Sequence, residues 1–163
     1  MRIPRTTDEI TPEWLTDALR AGGSLGDGSV ASVEFERIGV GLGFASLVTR
    51  GTVEYSGDAG GAPKTLVAKL MSGHADTDAL IKSRGIGHRE VRFFEELAPD
   101  VGVPVPEKYY ADSDQETGEF TLLLEDLSDA RLGDQVNGLS PEDAELVVNN
   151  LARMHAGGGT AIV

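Results

Sequence analysis

The chain has 163 residues, of which 40% are hydrophobic and 25% charged, a composition typical of one soluble domain or of one lobe with part of a second. It contains no cysteine, which excludes disulfides, thiolate metal sites and a cysteine nucleophile and favours a cytoplasmic location. Its formal net charge of -13 argues against nucleic acid and membranes as partners, and we expect neither a signal peptide nor a membrane span.

The N-terminal part predicts one helix followed by three strands. Thr11 can cap the helix, and Pro12 suits its first position. Alternation of apolar and polar residues then predicts strands, the first two joined by the glycine-rich segment 38–48. The predicted strands cover residues 33–38, 47–55 and 65–71.

The C-terminal part adds a hairpin and further helices. Helices are predicted over 77–82, over 87–98 and from Ser140 onwards, with hairpin strands over 108–111 and 119–124 and a connector over 126–138. The last helix has an apolar stripe for which no later cover is evident, so we expect exposed hydrophobic surface and some self-association. The stripe consists of Ala144, Val147, Val148, Leu151 and Met154.

This order of elements predicts an α+β fold. We expect a five-stranded antiparallel sheet with one helix inserted after the third strand, an N-terminal helix and a C-terminal helix. The sheet is expected to be covered on one side by the inserted helix.

The glycine-rich segment 38–48 is the first functional candidate. Glycines allow a backbone to approach phosphates closely, although such a segment is most often only a tight turn. A P-loop is excluded because no glycine is followed by Lys and Ser or Thr, and a Rossmann motif is disfavoured because a strand follows the glycines. A glycine-rich loop between antiparallel strands is how kinases cover the phosphates of ATP.

Lys69 and Glu90 are the second candidate. Lys69 lies in the apolar run 65–71, and Glu90 lies near the middle of an apolar helix face with Ile86, Phe93, Phe94 and Leu97. A carboxylate on such a face needs a partner, and Lys69 is the natural one. Losing one member of a buried pair costs about 3–5 kcal/mol. A solvated edge-strand lysine and a purely structural ion pair are the alternatives.

The segment Glu125–Leu127 follows the last apolar strand and is the third candidate. A strand that leaves its sheet exposes backbone donors and acceptors, which in a kinase contact the adenine edge, although an ordinary polar turn is the alternative. The three histidines are far apart and predict no metal site.

Six stretches in this order resemble the N-terminal lobe of aminoglycoside phosphotransferase-like small-molecule kinases, especially the ecdysteroid kinase-like (choline kinase-like) branch. They are Ile38–Ser46, Leu66–Lys69, Arg89–Leu97, Pro104–Pro106 with Tyr109–Ala111, Leu123–Leu127 and Leu151–Ala156. The resemblance covers nearly the whole chain. It implies a protein-kinase-like fold and transfer of the γ-phosphoryl group of ATP to a hydroxyl of a small molecule.

The resemblance also implies roles for individual residues. Lys69 would hold the ATP phosphates and would be oriented by Glu90, while the Glu125 carbonyl and the Leu127 amide would contact adenine. The phosphates would be covered by Gly39, Gly41, Gly43, Phe44, Ala45, Ser46 and Val48.

The part of a kinase that completes catalysis is not recognisable in the sequence. No catalytic loop of the His-Gly-Asp-x-x-x-x-Asn type and no later metal-binding Asp follows His155, so Mg²⁺ ligands are expected only in a second lobe. We therefore expect an N-terminal helix and loop (1–30), an ATP-binding lobe (31–127), and a connector with the first helix of an incomplete lobe (128–163). The chain alone should be inactive. A non-catalytic nucleotide- or partner-binding module and a structural domain without ligand are the alternatives.

Overall fold

The computed structural model of the protein describes residues 1–39, 46–131, 133 and 136–158. Its strands are β1 (Ser29–Arg37), β2 (Leu47–Ser56), β3 (Thr65–Leu70), β4 (Lys108–Ser113) and β5 (Phe120–Glu125). Its helices are α1 (Pro12–Ala21), α2 (Ala75–Arg84), α3 (Ile86–Arg92) and α4 (Pro141–Gly158). Helical turns also cover Thr7–Glu9, Phe93–Leu97 and Ala98–Asp100. The predicted α+β fold is confirmed.

The five strands form one antiparallel sheet in the order β1-β2-β3-β5-β4. β3 lies at the centre, with Lys69 opposite Val48 on one side and opposite Leu122 on the other. The register is interrupted between Val30 and Ser32 of β1 and between Lys108 and Tyr110 of β4. Such irregularities bend and twist a strand, and alternation in the sequence does not reveal them.

Helices cover both faces of the sheet, so the expectation of cover on one side only was wrong. On one face the apolar side chains of α1 pack onto the sheet, and the cluster there includes Leu15, Leu19, Leu66 and Leu123. The other face carries a second cluster, formed with the helices between β3 and β4; it consists of Met71, Ile81, Val91, Phe94, Phe120, Leu122 and Leu124. Leu122 and Leu123 are neighbours on β5 and point to opposite faces, so both faces of this strand are buried.

The insertion after β3 contains two helices, which match the helices predicted over 77–82 and 87–98, whereas the expected fold counted a single inserted helix. α2 ends at Gly85, whose backbone φ of 58° lies in the left-handed region, and α3 starts directly afterwards. The predicted helix over 87–98 does not continue regularly, because Phe93–Leu97 forms a wider turn in which the Ala98 amide donates to the Phe93 carbonyl. This turn rotates Leu97 off the apolar face, and Leu97 is 49% exposed.

Both longer terminal helices begin as their sequences predict. The Trp14 amide donates to the Thr11 hydroxyl at 3.2 Å at the start of α1. The Asp143 amide donates to the Ser140 hydroxyl at 3.1 Å at the start of α4. The apolar stripe predicted on α4 is exposed at Val147, Val148 and Leu151, and Leu146, which was not part of that stripe, is exposed as well.

Candidate functional site

An ion pair joins Lys69 of β3 to Glu90 of α3. Lys69 Nζ donates a hydrogen bond to Glu90 Oε1, although the two residues are 21 positions apart in the sequence. The pair therefore depends on how α3 packs onto the sheet, where Gly87 lies directly against the ring of Phe120. The predicted pairing of these two residues is confirmed.

The pair is only partly buried. The Lys69 side chain is 22% exposed and the Glu90 side chain 29% exposed. A fully buried pair loses about 3–5 kcal/mol when one partner is removed, whereas exposed pairs contribute about 0–1 kcal/mol. We expect the loss of either Lys69 or Glu90 to lower the free energy of unfolding by an amount between these two ranges. This is less than the cost expected for a fully buried pair. The pair is therefore not sealed from solvent.

An uncovered apolar strip lies beside this ion pair. Val48 of β2 is directly opposite Lys69, and Val67 precedes Lys69 by two positions on β3, so all three side chains share one face of the sheet. Val48 and Val67 are half-buried and belong to neither apolar cluster of the described residues. The helices between β3 and β4 cover the β5 side of this face. The strip can accept a flat apolar group next to a positive charge.

The connector leaves the sheet at the end of β5, near the same strip. Glu125 pairs with Leu66 and its amide donates to the Glu107 carbonyl at 2.8 Å. The Leu127 carbonyl accepts a hydrogen bond from the Ala130 amide at 2.9 Å. The Leu127 amide donates to no other residue in the described ranges, and its side chain is 48% exposed. This amide is therefore available to a ligand.

The spacing between the two candidate contacts suits a nucleotide. A strand rises about 3.3 Å per residue, so Lys69 lies roughly 10 Å along β3 from Leu66, the partner of Glu125. An adenine base with its ribose and first phosphates has this length scale. Lys69 and the connector can thus contact opposite ends of one such molecule.

Arg50 ties the connector to β2, a link that the sequence analysis did not predict. Arg50 Nε donates to Asp126 Oδ2 at 2.9 Å, and Arg50 Nη1 donates to Glu36 Oε1 at 3.0 Å. The Asp126 side chain is only 4% exposed. Burial by itself raises the pKa of Asp126, but the hydrogen bond and charge of Arg50, together with hydrogen bonds from Thr65 and Ser128, outweigh it, so the pKa lies below its ordinary value. An acidic residue directly after an almost fully buried strand is the sequence signal for such a partner, although it does not indicate which residue the partner is.

The glycine-rich segment is described only at its ends. Gly39 has a backbone φ of 67°, Ser46 directly precedes β2, and Val48 is the second residue of that strand. Gly41, Gly43, Phe44 and Ala45 lie outside the described residues. The assignment of this segment to the ATP phosphates stays a prediction.

The remaining polar groups of the described residues form no grouped metal site. His88 Nδ1 is 2.9 Å from the Ser113 hydroxyl, whereas His74 and His155 are exposed. In the part of the chain that the structure describes, no three side chains of His, Asp or Glu are grouped to hold a metal ion. No helix within the same ranges has the length and apolar character needed to cross a bilayer.

Comparison with known proteins adds one decisive match. The profile of the ecdysteroid kinase-like family matches residues 40–161, which is most of the chain. The chain belongs to the ecdysteroid kinase-like family. No curated protein and no solved structure shows significant similarity to it. Membership of the ecdysteroid kinase-like family confirms the predicted kinase-like character of the fold, and the match includes β2 to α4 but neither α1 nor β1.

Proposed function

We propose that this chain is the ATP-binding portion of a small-molecule kinase that transfers the γ-phosphoryl group of ATP to a substrate hydroxyl. The observation that supports this most directly is the Lys69–Glu90 ion pair at the edge of an uncovered apolar strip. In protein kinases a strand lysine paired with a helix glutamate is required for phosphoryl transfer. The family match is the independent support.

In the proposed complex the adenine lies on the strip formed by Val48 and Val67, and its polar edge meets the Leu127 amide and the Glu125 carbonyl. The phosphates extend towards Lys69, whose ammonium donates charge-assisted hydrogen bonds to them. Glu90 keeps the ammonium in place, because an unpaired lysine side chain samples many rotamers. The covering of the phosphates by residues 39–46 also belongs to this proposal, and the family match is its support.

Mg²⁺ would accompany the nucleotide, but the described residues do not fit a metal site of their own. They provide no group of His, Asp and Glu side chains that could bind the ion. We propose that its protein ligands and the catalytic base lie in a second lobe, and that the 163 residues alone bind ATP without turnover. The division into lobes at residues 30 and 127 belongs to this proposal.

Calorimetric titration with ATP, with and without Mg²⁺, tests the proposal. Lys69→Met should weaken ATP binding about 10- to 150-fold, the effect of losing a charge-assisted hydrogen bond worth about 1.5–3 kcal/mol. Glu90→Gln should act in the same direction. Lys64→Met and Glu95→Gln remove the same charges at exposed positions and should leave the affinity unchanged. Equal affinity in Lys69→Met and wild type would refute the proposal.

A non-catalytic module that binds a nucleotide or a partner is the second candidate. It would use the same Lys69–Glu90 pair and the strip beside it to hold a ligand without a transfer step. The two candidates differ in the sequence encoded beyond Val163. An in-frame continuation with an aspartate-bearing catalytic loop supports the kinase, and its absence supports the module.

The proposal also covers location and partners. A chain without cysteine and with a net charge of -13 fits a reducing cytoplasm and a small-molecule substrate better than nucleic acid or an anionic membrane. Fractionation of cells that produce the protein tests the location, and gel-shift titration with DNA and RNA tests the exclusion of nucleic acid.

A further inference from the structure

The carboxylate of Asp126 is almost fully buried although it lies at the start of a connector. Its side chain is 4% exposed, and it accepts hydrogen bonds from Arg50 Nε at 2.9 Å, from the Ser128 amide at 3.1 Å and from the Ser128 hydroxyl at 3.2 Å. A buried carboxylate is costly unless such partners surround it. The connector is therefore held to β2 by a specific polar contact rather than by apolar packing.

The position of this contact relates it to the candidate site. Arg50 is opposite Val67 on β3, so its side chain projects from the same sheet face as Val48 and Lys69. Asp126 is the first residue after β5. The Arg50–Asp126 ion pair thus joins the β2 side of the uncovered strip to the connector. It lies at the end of the strip that is farther from Lys69.

The hydrogen bonds around Leu127 leave its amide in a fixed place. The Glu125 amide donates to the Glu107 carbonyl, the Ser128 amide donates to Asp126, and the Leu127 carbonyl accepts from Ala130. Within the described ranges the Leu127 amide itself donates to no other residue, so it can donate to a ligand. Since Asp126 holds Ser128 and is itself held by Arg50, the location of this amide depends on Arg50.

We propose that Arg50 and Asp126 are positioning residues that set the Leu127 amide at the right distance to donate to the adenine ring of ATP. This rests on the proposed function, because it assumes that a nucleotide occupies the strip. The Asp126 side chain is 4% exposed and the Arg50 side chain 28% exposed, so the pair is only partly buried. An ion pair taken out of water adds little to stability compared with apolar residues of the same size, and fixing geometry is the better-supported use of such a pair. Arg50 and Asp126 fix the base end of the site, while Lys69 and Glu90 fix the phosphate end.

The test compares ATP with inorganic tripolyphosphate, which has the phosphates but no base. In Arg50→Gln we expect ATP affinity to fall about tenfold, as for one hydrogen bond that is no longer aligned. Tripolyphosphate affinity should stay within about twofold of wild type, because Lys69 is unchanged. Arg84→Gln removes the same charge at an exposed position on α2 and should change neither affinity. An equal loss for both ligands, or no loss for ATP, overturns the proposal.

Hydrogen exchange without ligand gives a second and independent readout. The Ser128 amide should exchange faster in Arg50→Gln than in wild type, whereas the amides of β5 should keep their protection. Unchanged exchange at Ser128 would overturn the proposal even if ATP affinity fell. Should Arg50→Gln fail to fold, Asp126→Asn serves in its place, since it keeps the side-chain size while weakening the bond to Arg50.

The outcomes separate this inference from the proposed function. Wild-type protein that binds neither ATP nor tripolyphosphate refutes the proposed function and the inference with it. Wild-type binding that needs Lys69 but is unaffected by Arg50→Gln refutes only the inference.

Discussion

The contact between Gly87 and Phe120 offers a sharp test of how the site is assembled. Gly87 lies in the first turn of α3 and is buried against the aromatic ring. A Cβ at this position would lie 2.2 Å from Phe120 Cδ1, whereas carbon atoms in contact are about 3.5 Å apart, so Gly87→Ala requires a shift of roughly 1.3 Å. Phe120 is only 1% exposed, and the helix must therefore move instead of the ring.

Two opposing effects set the change in the free energy of unfolding for Gly87→Ala. Extra volume in a packed core costs about 1–3 kcal/mol, while alanine in a helix is better than glycine by about 0.5–1 kcal/mol. We expect Gly87→Ala to lower the free energy of unfolding by about 1–2 kcal/mol and the Tm by about 2–8 °C. Because Glu90 follows Gly87 by one helical turn, the variant should also bind ATP more weakly.

Urea unfolding followed by circular dichroism measures this effect. Gly61→Ala is the matched control, since a Cβ there meets nothing within 4 Å and the substitution should be neutral or stabilising by about 0.4–1 kcal/mol. If Gly87→Ala were as stable as wild type, α3 would not pack on β5 as described, and the basis for the Lys69–Glu90 pairing would be removed.

Three further results are expected. Thr16→Val should destabilise the chain by about 1–3 kcal/mol in urea unfolding, because the buried Val30 amide loses its acceptor at 2.9 Å. Burial raises the pKa of all three tyrosines, to about 12 for Tyr55 and Tyr110, so phenolate absorbance of the folded protein should not rise near pH 10 but should do so in urea. Folding lowers the pKa of Asp126 below its ordinary value of 3.8. The ionised carboxylate therefore stabilises the folded chain above pH 3.8, and this stabilisation is lost as the pH falls through the lower pKa of the folded state. Asp126→Asn lacks this carboxylate and should lose less stability on acidification than wild type.

The sheet and the central ion pair could be predicted because their signals are local. Alternation identified all five strands to within two residues at most ends, and capping residues marked the start of α1 and α4. The pairing of Lys69 with Glu90 followed from a charge argument, since each lay in an apolar pattern and needed a partner.

Other features could not be predicted because they depend on contacts between distant parts of the chain. Arg50 and Asp126 are 76 positions apart, and nothing in either neighbourhood points to the other. The packing of α1 onto the sheet face opposite α2 and α3 is set by tertiary structure, because the apolar side of an amphipathic helix does not specify which surface it will cover. The partial exposure of Lys69 and Glu90 likewise follows from the final placement of α3.

The wide turn at Phe93–Leu97 places a constraint on chain length as well as on residue type. Each residue of a regular helix advances the chain by about 100°, so a deletion here, such as that of Glu95, would let regular bonding resume and would rotate everything up to Val101 by that angle. Val101 is buried and would be pulled from its place. We therefore expect insertions and deletions in this stretch to be tolerated less well than substitutions at the same exposed positions.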